Sequence, residues 1–169
     1  MEMSRWKKEQ ERKERAKQYQ LSKQTAFHEA GHAVFATLKG PGVEIVTIDP
    51  ERVHELTGQR CPGYTQYKQS GPAEADNVLG LTVAGLTAEA LFVTDGVVSS
   101  QEDDLKRLND LLENQMGLRG EAKDREMLRI RFLSQQFAAE NRVAIRTVAK
   151  ALMERRTLTG EEINQVLNR

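Results

Sequence analysis

The stretch TAFHEAGHAVFATLK at residues 25–39 decides how the rest of this 169-residue chain is interpreted. Its apolar residues recur at the three- and four-residue spacing of an α-helix, so the pattern predicts a helix. Ser22 or Thr25 can cap the start of this helix, and Gly40-Pro41 ends it. Because its apolar residues extend over more than one face, we expect most of the helix to be buried.

Two histidines lie four residues apart in this helix, His28 and His32, with Glu29 directly after the first. Side chains at this spacing project from the same face, one turn apart, so both imidazoles can bind one metal ion. Glu29 lies to the side of such an ion, where it can accept a proton from the attacking water without binding the metal itself. A chain of this composition contains HExxH by chance about 0.006 times. The competing interpretation is an amphipathic helix with two ordinary histidines.

The glycine inside the motif is a second signal, because glycine in a helix interior costs roughly 1 kcal/mol relative to alanine. Gly31 therefore indicates either another backbone approaching closely near the metal or simply tight packing between helices.

A catalytic zinc takes a third protein ligand, and spacing leaves several candidates open. The remaining histidine, His54, lies in a stretch predicted as a polar loop, residues 51–62, where a solvent-exposed histidine is the simpler interpretation. The acidic run Glu102-Asp103-Asp104 opens a predicted helix. Its first two residues suit capping, whereas the third borders the apolar face and can point inward. A solvated helix start is the alternative for the whole run, and spacing alone does not choose among the three.

The rest of the pattern predicts a mainly α fold with a two- or three-stranded β element beside the motif helix. The predicted strands are Val43–Ile48 and Tyr64–Tyr67, and the further helices lie at about residues 71–92, 101–117, 122–137 and 140–154, with a short last helix after a capping box at Thr159–Glu162.

Composition and charge exclude several classes of protein. Net charge is zero, but residues 1–24 carry eight basic and four acidic side chains, which predicts a charged leader over residues 1–23. Such a leader could touch an acidic partner, although a solvated helix is the simpler interpretation. No basic stripe with aromatic residues is present, so nucleic-acid binding is not expected. The chain has no membrane segment, no secretory signal, no GxxxxGK[ST] and one cysteine, Cys61, and we predict a cytoplasmic protein.

Five segments together resemble the peptidase domain of the FtsH-type AAA+ zinc metalloproteases. Residues 26–34 resemble the active-site helix of that family, and the strand pair 43–48 and 63–65 resembles the strands that flank its cleft; the other similar segments are 85–92, 100–105 and 157–163. The resemblance covers residues 24–169, which we interpret as a zinc metallopeptidase-like domain. Asp104 matches the third zinc ligand of the family, an aspartate just before an aliphatic residue.

The resemblance implies a zinc metalloendopeptidase with Zn²⁺ on His28, His32 and Asp104 and with Glu29 as general base. Family members carry a membrane anchor and an ATPase module ahead of this domain. The charged leader stands in that place here, so we expect a stand-alone enzyme that is independent of ATP and cuts peptides or unfolded segments. An extended peptide is expected to add to the sheet edge near residues 43–48.

Two other functions stay open. The chain could be a metal-binding interaction or regulatory module, or a peptidase subunit that works with a separate ATPase. The loop at residues 51–62 differs from that of the family, which leaves substrate preference undecided, and both a monomer and a hexamer are compatible with the sequence.

Overall fold

The computed structural model describes residues 2–69, 75–93 and 101–168. The described residues are mainly helical, with a small antiparallel sheet, as predicted. In chain order the elements are α1 (Glu2–Leu38), β1 (Val43–Thr47), α2 (Pro50–Thr57), β2 (Tyr64–Tyr67), α3 (Ala75–Phe92), α4 (Gln101–Asp110), a π-helical turn (Leu111–Gln115), α5 (Gly120–Glu140), α6 (Arg142–Arg155), β3 (Thr157–Thr159) and α7 (Gly160–Leu167).

The helix that carries the motif is longer than predicted. It begins at Glu2 rather than after a cap at Ser22 or Thr25, and the Thr25 hydroxyl donates to the carbonyl of Leu21 at 2.9 Å. The segment before the motif contains neither glycine nor proline, and its charged residues are good helix formers, so nothing interrupts the helix. The division of the chain at residue 23 therefore stays a prediction, because the helix passes through that position without a break.

The sheet has the strand order β2-β1-β3, with both pairs antiparallel. The third strand, β3, is three residues long and follows Arg156, whose φ of 68° turns the chain out of α6. Because β3 pairs with β1 on the side opposite β2, β1 lies in the middle of the sheet. The prediction that a peptide adds near residues 43–48 is therefore wrong, because both edges of β1 are already occupied. Within the described residues, β2 and β3 are the edge strands.

The predicted polar loop at residues 51–62 contains a helix, α2, which is a second correction. Asp49 caps it by accepting from the amide of Glu51 at 3.1 Å, and Pro50 occupies its first turn. Val53 is fully buried beneath it, and Gly58 ends it with a φ of 71°. Asp49, Pro50 and Gly58 are known signals of helix ends. The eight residues contain one buried side chain, so they show too little apolar periodicity to predict a helix in a polar stretch.

The core brings the motif helix to the centre of the molecule. The C-terminal half of α1 packs against α3 on one side and α6 on the other, and a second apolar cluster joins α3, α4 and α5. The helix predicted over residues 101–117 ends at Asp110 and continues as the π-helical turn. The capping box of Thr159 and Glu162 is present as predicted. Ser99 and Ser100 can cap the helix predicted over residues 101–117 by their position before it, but they lie outside the described residues, as does the predicted helix start near Gly71-Pro72.

None of the helices in the described parts of the chain combines the length and the apolar character that crossing a bilayer requires.

Candidate metal centre

Three of the predicted site residues converge on one point. The distance from His28 Nε2 to His32 Nε2 is 3.1 Å, and the Asp104 Oδ2 atom lies 3.1 Å from each. Ligand atoms around a tetrahedral zinc ion are separated by about 3.3 Å, given bonds of about 2.0–2.1 Å. Both histidines are buried, and the Asp104 side chain is 19% exposed. The three side chains therefore form a group that could hold a metal ion.

Glycines in α1 and α3 create the space for this group. A side chain at Gly85 would begin 2.7 Å from His28 Nε2 and would also contact His32 Nε2. A side chain at Gly31 would meet the carbonyl of Ala84, so the two helices cross in direct contact. The two interpretations of Gly31 thus coincide, because the backbone that approaches it is that of the packed helix α3.

The other nitrogen of each imidazole is held by α3. His28 Nδ1 lies 3.3 Å from Glu89 Oε2, and His32 Nδ1 lies 2.9 Å from the carbonyl oxygen of Leu81. An acceptor at Nδ1 favours a proton on that nitrogen, so Nε2 is the nitrogen of each ring that can give up its proton and bind a metal ion beside Asp104. Two oriented imidazoles and one carboxylate are a donor set that suits zinc, so the residues present fit the expected metal.

Glu89 has a role that sequence reasoning missed. It is 4% exposed and lies in the last turns of α3 between Ala88 and Ala90. A carboxylate is almost never buried without a partner. A charged residue among the apolar residues of the second half of α3 was the signal in the sequence that could have identified Glu89 as a partner for a buried histidine.

The metal-free cluster favours positive charge. Burial by itself lowers the pKa of His28, but hydrogen bonds to Asp104 and Glu89, with the nearby charge of Glu29, raise that pKa to about 10. For Asp104, burial opposes ionisation, and the hydrogen bonds with His28 and His32 outweigh it and hold the pKa of this carboxyl well below its usual range. The site therefore stabilises a cation between the imidazoles and the carboxylates.

Glu29 lies beside the group and is not part of it. Its side chain is buried, and its Oε2 atom accepts a hydrogen bond from the Thr65 hydroxyl at 2.6 Å. Gly63 lets strand β2 approach, because a side chain there would begin 2.7 Å from Glu29 Oε1. Strand β2 thus holds the carboxylate in place next to the histidines, and Thr65 is a second residue that sequence reasoning missed.

Two cavities meet at this site. One of about 220 Å³ contains Glu29, both histidines, Cys61 and the start of β2 in its walls. The other, of about 170 Å³, lies between α3 and α4. The residues common to both cavities are His32, Tyr67, Asp104 and Arg107. Burial and the charges of Glu29 and Asp104 raise the pKa of Tyr67 far above its ordinary value, so its hydroxyl stays protonated. The group of His28, His32 and Asp104 thus borders open space on two sides.

The other candidates for the third ligand are not in the group. His54 lies exposed on α2, and Asp103 is exposed on α4, although it borders the larger cavity. The side chain of Glu102 lies outside the described residues. Among the described residues, the arrangement brings Asp104 to the histidine pair.

Comparison with known proteins shows a distant relationship. No protein-family model matches the chain. The chain is 28% identical over 193 residues to the ATP-dependent zinc metalloprotease FtsH 1 of Thermoanaerobacter sp. (strain X514), and the match covers 86% of this chain and 30% of that protein. The chain therefore corresponds to less than a third of the length of this relative. This similarity supports a region related to zinc metalloproteases of the FtsH kind.

Proposed function

We propose that this chain is a zinc-dependent metallopeptidase that hydrolyses peptide bonds in peptides or unfolded segments without ATP. The observation that carries the proposal is the convergence of His28, His32 and Asp104 next to a buried carboxylate, Glu29, that is not part of the group. A site that only stored a metal would have no need of a second carboxylate oriented into the same cavity.

The proposal gives three residues the role of holding the metal ion and one residue the role of moving a proton. His28, His32 and Asp104 would hold the zinc ion, which when bound would polarise the substrate carbonyl and acidify a water molecule. Glu29 would take a proton from the attacking water and pass it to the leaving amine. The Thr65 hydroxyl fixes the orientation of Glu29 by donating to Oε2, which leaves Oε1 available for the proton.

Strand β2 is the best surface for a peptide substrate. It forms an edge of the described sheet, and Gly63, Tyr64, Thr65 and Tyr67 line the larger cavity. An extended peptide that added to β2 would gain main-chain hydrogen bonds and would run past Glu29. Recognition through the main chain requires an unfolded segment and imposes little sequence preference.

The test measures zinc content and casein cleavage, without nucleotide, in wild type and in two variants. We expect about one zinc per chain in wild type and loss of zinc in His28→Ala. Glu29→Gln should retain zinc and lose cleavage by a factor of about 10² to 10⁴, the usual contribution of a general base.

Two results would contradict the proposal. Wild type that binds zinc but cleaves no unfolded substrate, with or without a partner ATPase added, would favour the metal-binding interaction or regulatory module. Cleavage that appears only when an ATPase is added would make the chain a peptidase subunit, and the claim of ATP independence would be wrong.

A further inference from the structure

The smaller cavity has the composition of a side-chain pocket with one charged end. Its apolar wall comes from Pro41, Val78 and Leu81, and Asn77 and Thr82 add polar groups. His32 and Asp104 of the metal group form one end. A side chain of a substrate bound at the metal could therefore enter this cavity directly.

Arg107 is the only lysine or arginine among the described residues that line either cavity. It lies three residues after Asp104 in α4, so the two side chains project from the same face of the helix. None of the residues that the structure describes forms an ion pair or hydrogen bond with the Arg107 side chain. A guanidinium at the mouth of a pocket, with no partner in the described part of the chain, is available to bind an anion.

We propose that Arg107 makes this enzyme selective for substrates with a carboxylate next to the scissile bond. The inference rests on the proposed peptidase function and adds the substrate class. A guanidinium pairs with a carboxylate through two parallel hydrogen bonds, and charge-assisted bonds of this kind are about twice as strong as neutral ones. The carboxylate could belong to a glutamate or aspartate side chain or to the C-terminus of the peptide.

None of the nearby acidic residues whose side chains the structure describes pairs with the Arg107 guanidinium. Asp104 is committed to the histidines, and Glu29 accepts from Thr65. Asp103 and Asp110 share an outer groove with Arg107 but form no ion pair with it. The carboxylate-binding capacity of the guanidinium is therefore available to a substrate, and a lysine side chain at the same position of the substrate would be repelled.

Matched fluorogenic peptides that differ at one residue beside the scissile bond test this proposal. Glu, Gln and Lys at that position are compared, and a second pair compares a free C-terminal carboxylate with its amide. We expect wild type to prefer Glu over Gln by about tenfold or more in kcat/KM, which corresponds to about 1.4 kcal/mol. A preference confined to the free C-terminus would identify the terminal carboxylate as the ligand.

Three variants test whether Arg107 causes the preference for the Glu peptide. Arg107→Gln should bring the Glu-to-Gln ratio close to one, and Arg107→Glu should favour the Lys peptide. Lys106→Gln is the matched control, because it removes the same charge from the neighbouring position, which lines the outer groove alone. Equal rates on all peptides in wild type, or an equal loss of preference in the Lys106 variant, would overturn the proposal.

Binding measured without turnover separates this inference from the proposed function. Peptide affinities are determined by calorimetry in the Glu29→Gln background, with and without Arg107→Gln, after zinc content has been checked. Tighter binding of the Glu peptide that depends on Arg107 supports the inference even if wild type cleaves nothing. Identical affinities for the Glu and Gln peptides contradict it even if casein is cleaved.

Discussion

At the scale of single residues, the site depends on which atoms are absent as much as on which are present. Gly85 provides the space into which both Nε2 atoms point, and Glu89 holds the far side of His28. Neither residue would bind the metal in the proposed site. Both residues lie where α3 packs against α1. Substituting them changes the surroundings of the histidines and leaves all three proposed ligands in place, so their effects on zinc affinity can be measured separately.

Gly85→Ala should weaken zinc binding by at least about tenfold, because its methyl group would begin 2.7 Å from His28 Nε2. Zinc affinity measured by competition with a chromogenic chelator checks this. Gly80→Ala is the control, since its methyl group meets the ring of Phe35 instead. That variant should lose thermal stability and retain one zinc per chain; equal zinc affinities in the two variants would contradict the role of Gly85.

Glu89→Gln should lower zinc affinity by about 10- to 100-fold, the usual effect of removing the partner of a metal-binding histidine. The amide has nearly the shape of the carboxylate but lacks the charge that favours a polarised imidazole. Circular dichroism should show an unchanged helix content, which separates this effect from unfolding. Unaltered zinc affinity would mean that Glu89 is merely a buried partner of Gln24 and His28.

Zinc binding should release about one proton per chain at pH 7. In the metal-free protein the pKa of His28 is raised to about 10, so the imidazole is protonated at neutral pH and must lose that proton to bind the ion. Zinc affinity should therefore increase as pH rises toward 10. Calorimetry in buffers of different ionisation enthalpy measures the proton count, and a count of zero at pH 7 would contradict the raised pKa.

At the scale of elements, short segments were the hardest to predict. The helix α2 and the strand β3 have eight and three residues, and β3 is stabilised by partners distant in sequence. Strand β3 pairs with β1, and the Arg156 guanidinium donates to the carbonyl of Ile48 at 2.8 Å, a contact that spans 108 residues. Such contacts are invisible to a local pattern. The capping box of α7 was predictable because all of its groups lie within four residues.

Thr159→Ala should destabilise the protein by about 1 kcal/mol, because it removes the side-chain acceptor for the amide of Glu162. Urea unfolding measures this loss, and Thr147→Ala is the control, since its exposed hydroxyl bonds only the carbonyl one turn earlier. The control should stay within about 0.5 kcal/mol of wild type. Equal stabilities for the two variants would contradict the cap.

The contribution of this capping box should also depend on pH. The backbone hydrogen bond from Thr159 holds the pKa of Glu162 below its usual value in the folded state. A depressed carboxyl pKa stabilises the fold above the unfolded pKa, and this contribution is lost as pH falls through the folded value. The stability difference between Glu162→Gln and wild type should therefore shrink in acid, as measured by urea unfolding at pH 7 and pH 3, since the backbone N–H of Thr159 donates to the carboxylate that this variant lacks.

At the scale of the whole molecule, a bound ion would link helices that are far apart in sequence. His32 and Asp104 are separated by 72 residues, and they lie on α1 and α4. Any ligand that binds the folded state alone stabilises it by mass action. We therefore expect zinc removal with a chelator to lower the melting temperature and zinc addition to restore it. His28→Ala should melt at the same temperature with and without zinc, and a zinc-dependent shift in that variant would contradict the proposed ligand set.

The relation between prediction and structure is clearest at the third member of the metal group. Spacing left Glu102, Asp103 and Asp104 as alternatives, and resemblance to a known family favoured Asp104. The structure directs the Asp104 carboxylate to the histidine pair and leaves Asp103 exposed. Adjacent residues on a helix point about 100° apart, so the distinction depends on the rotation of α4 against α3. The leucines of α4 and the π-helical turn pack in the second apolar cluster and fix that rotation. The local pattern indicated that Asp104 borders this apolar face, but not that the face packs where the histidines lie.

The amino-acid sequence by itself determined the features that depend on neighbours along the chain. These are the helix that carries His28 and His32, the shared face of the two imidazoles, the mainly helical fold and the cap of the last helix. Only the tertiary structure decided which carboxylate meets the histidines, that Glu89 holds His28, that β1 is enclosed on both edges and that Arg107 borders the cavities. The physical reason is range, because helical periodicity and capping are set within a few residues, whereas these contacts follow from how whole elements pack.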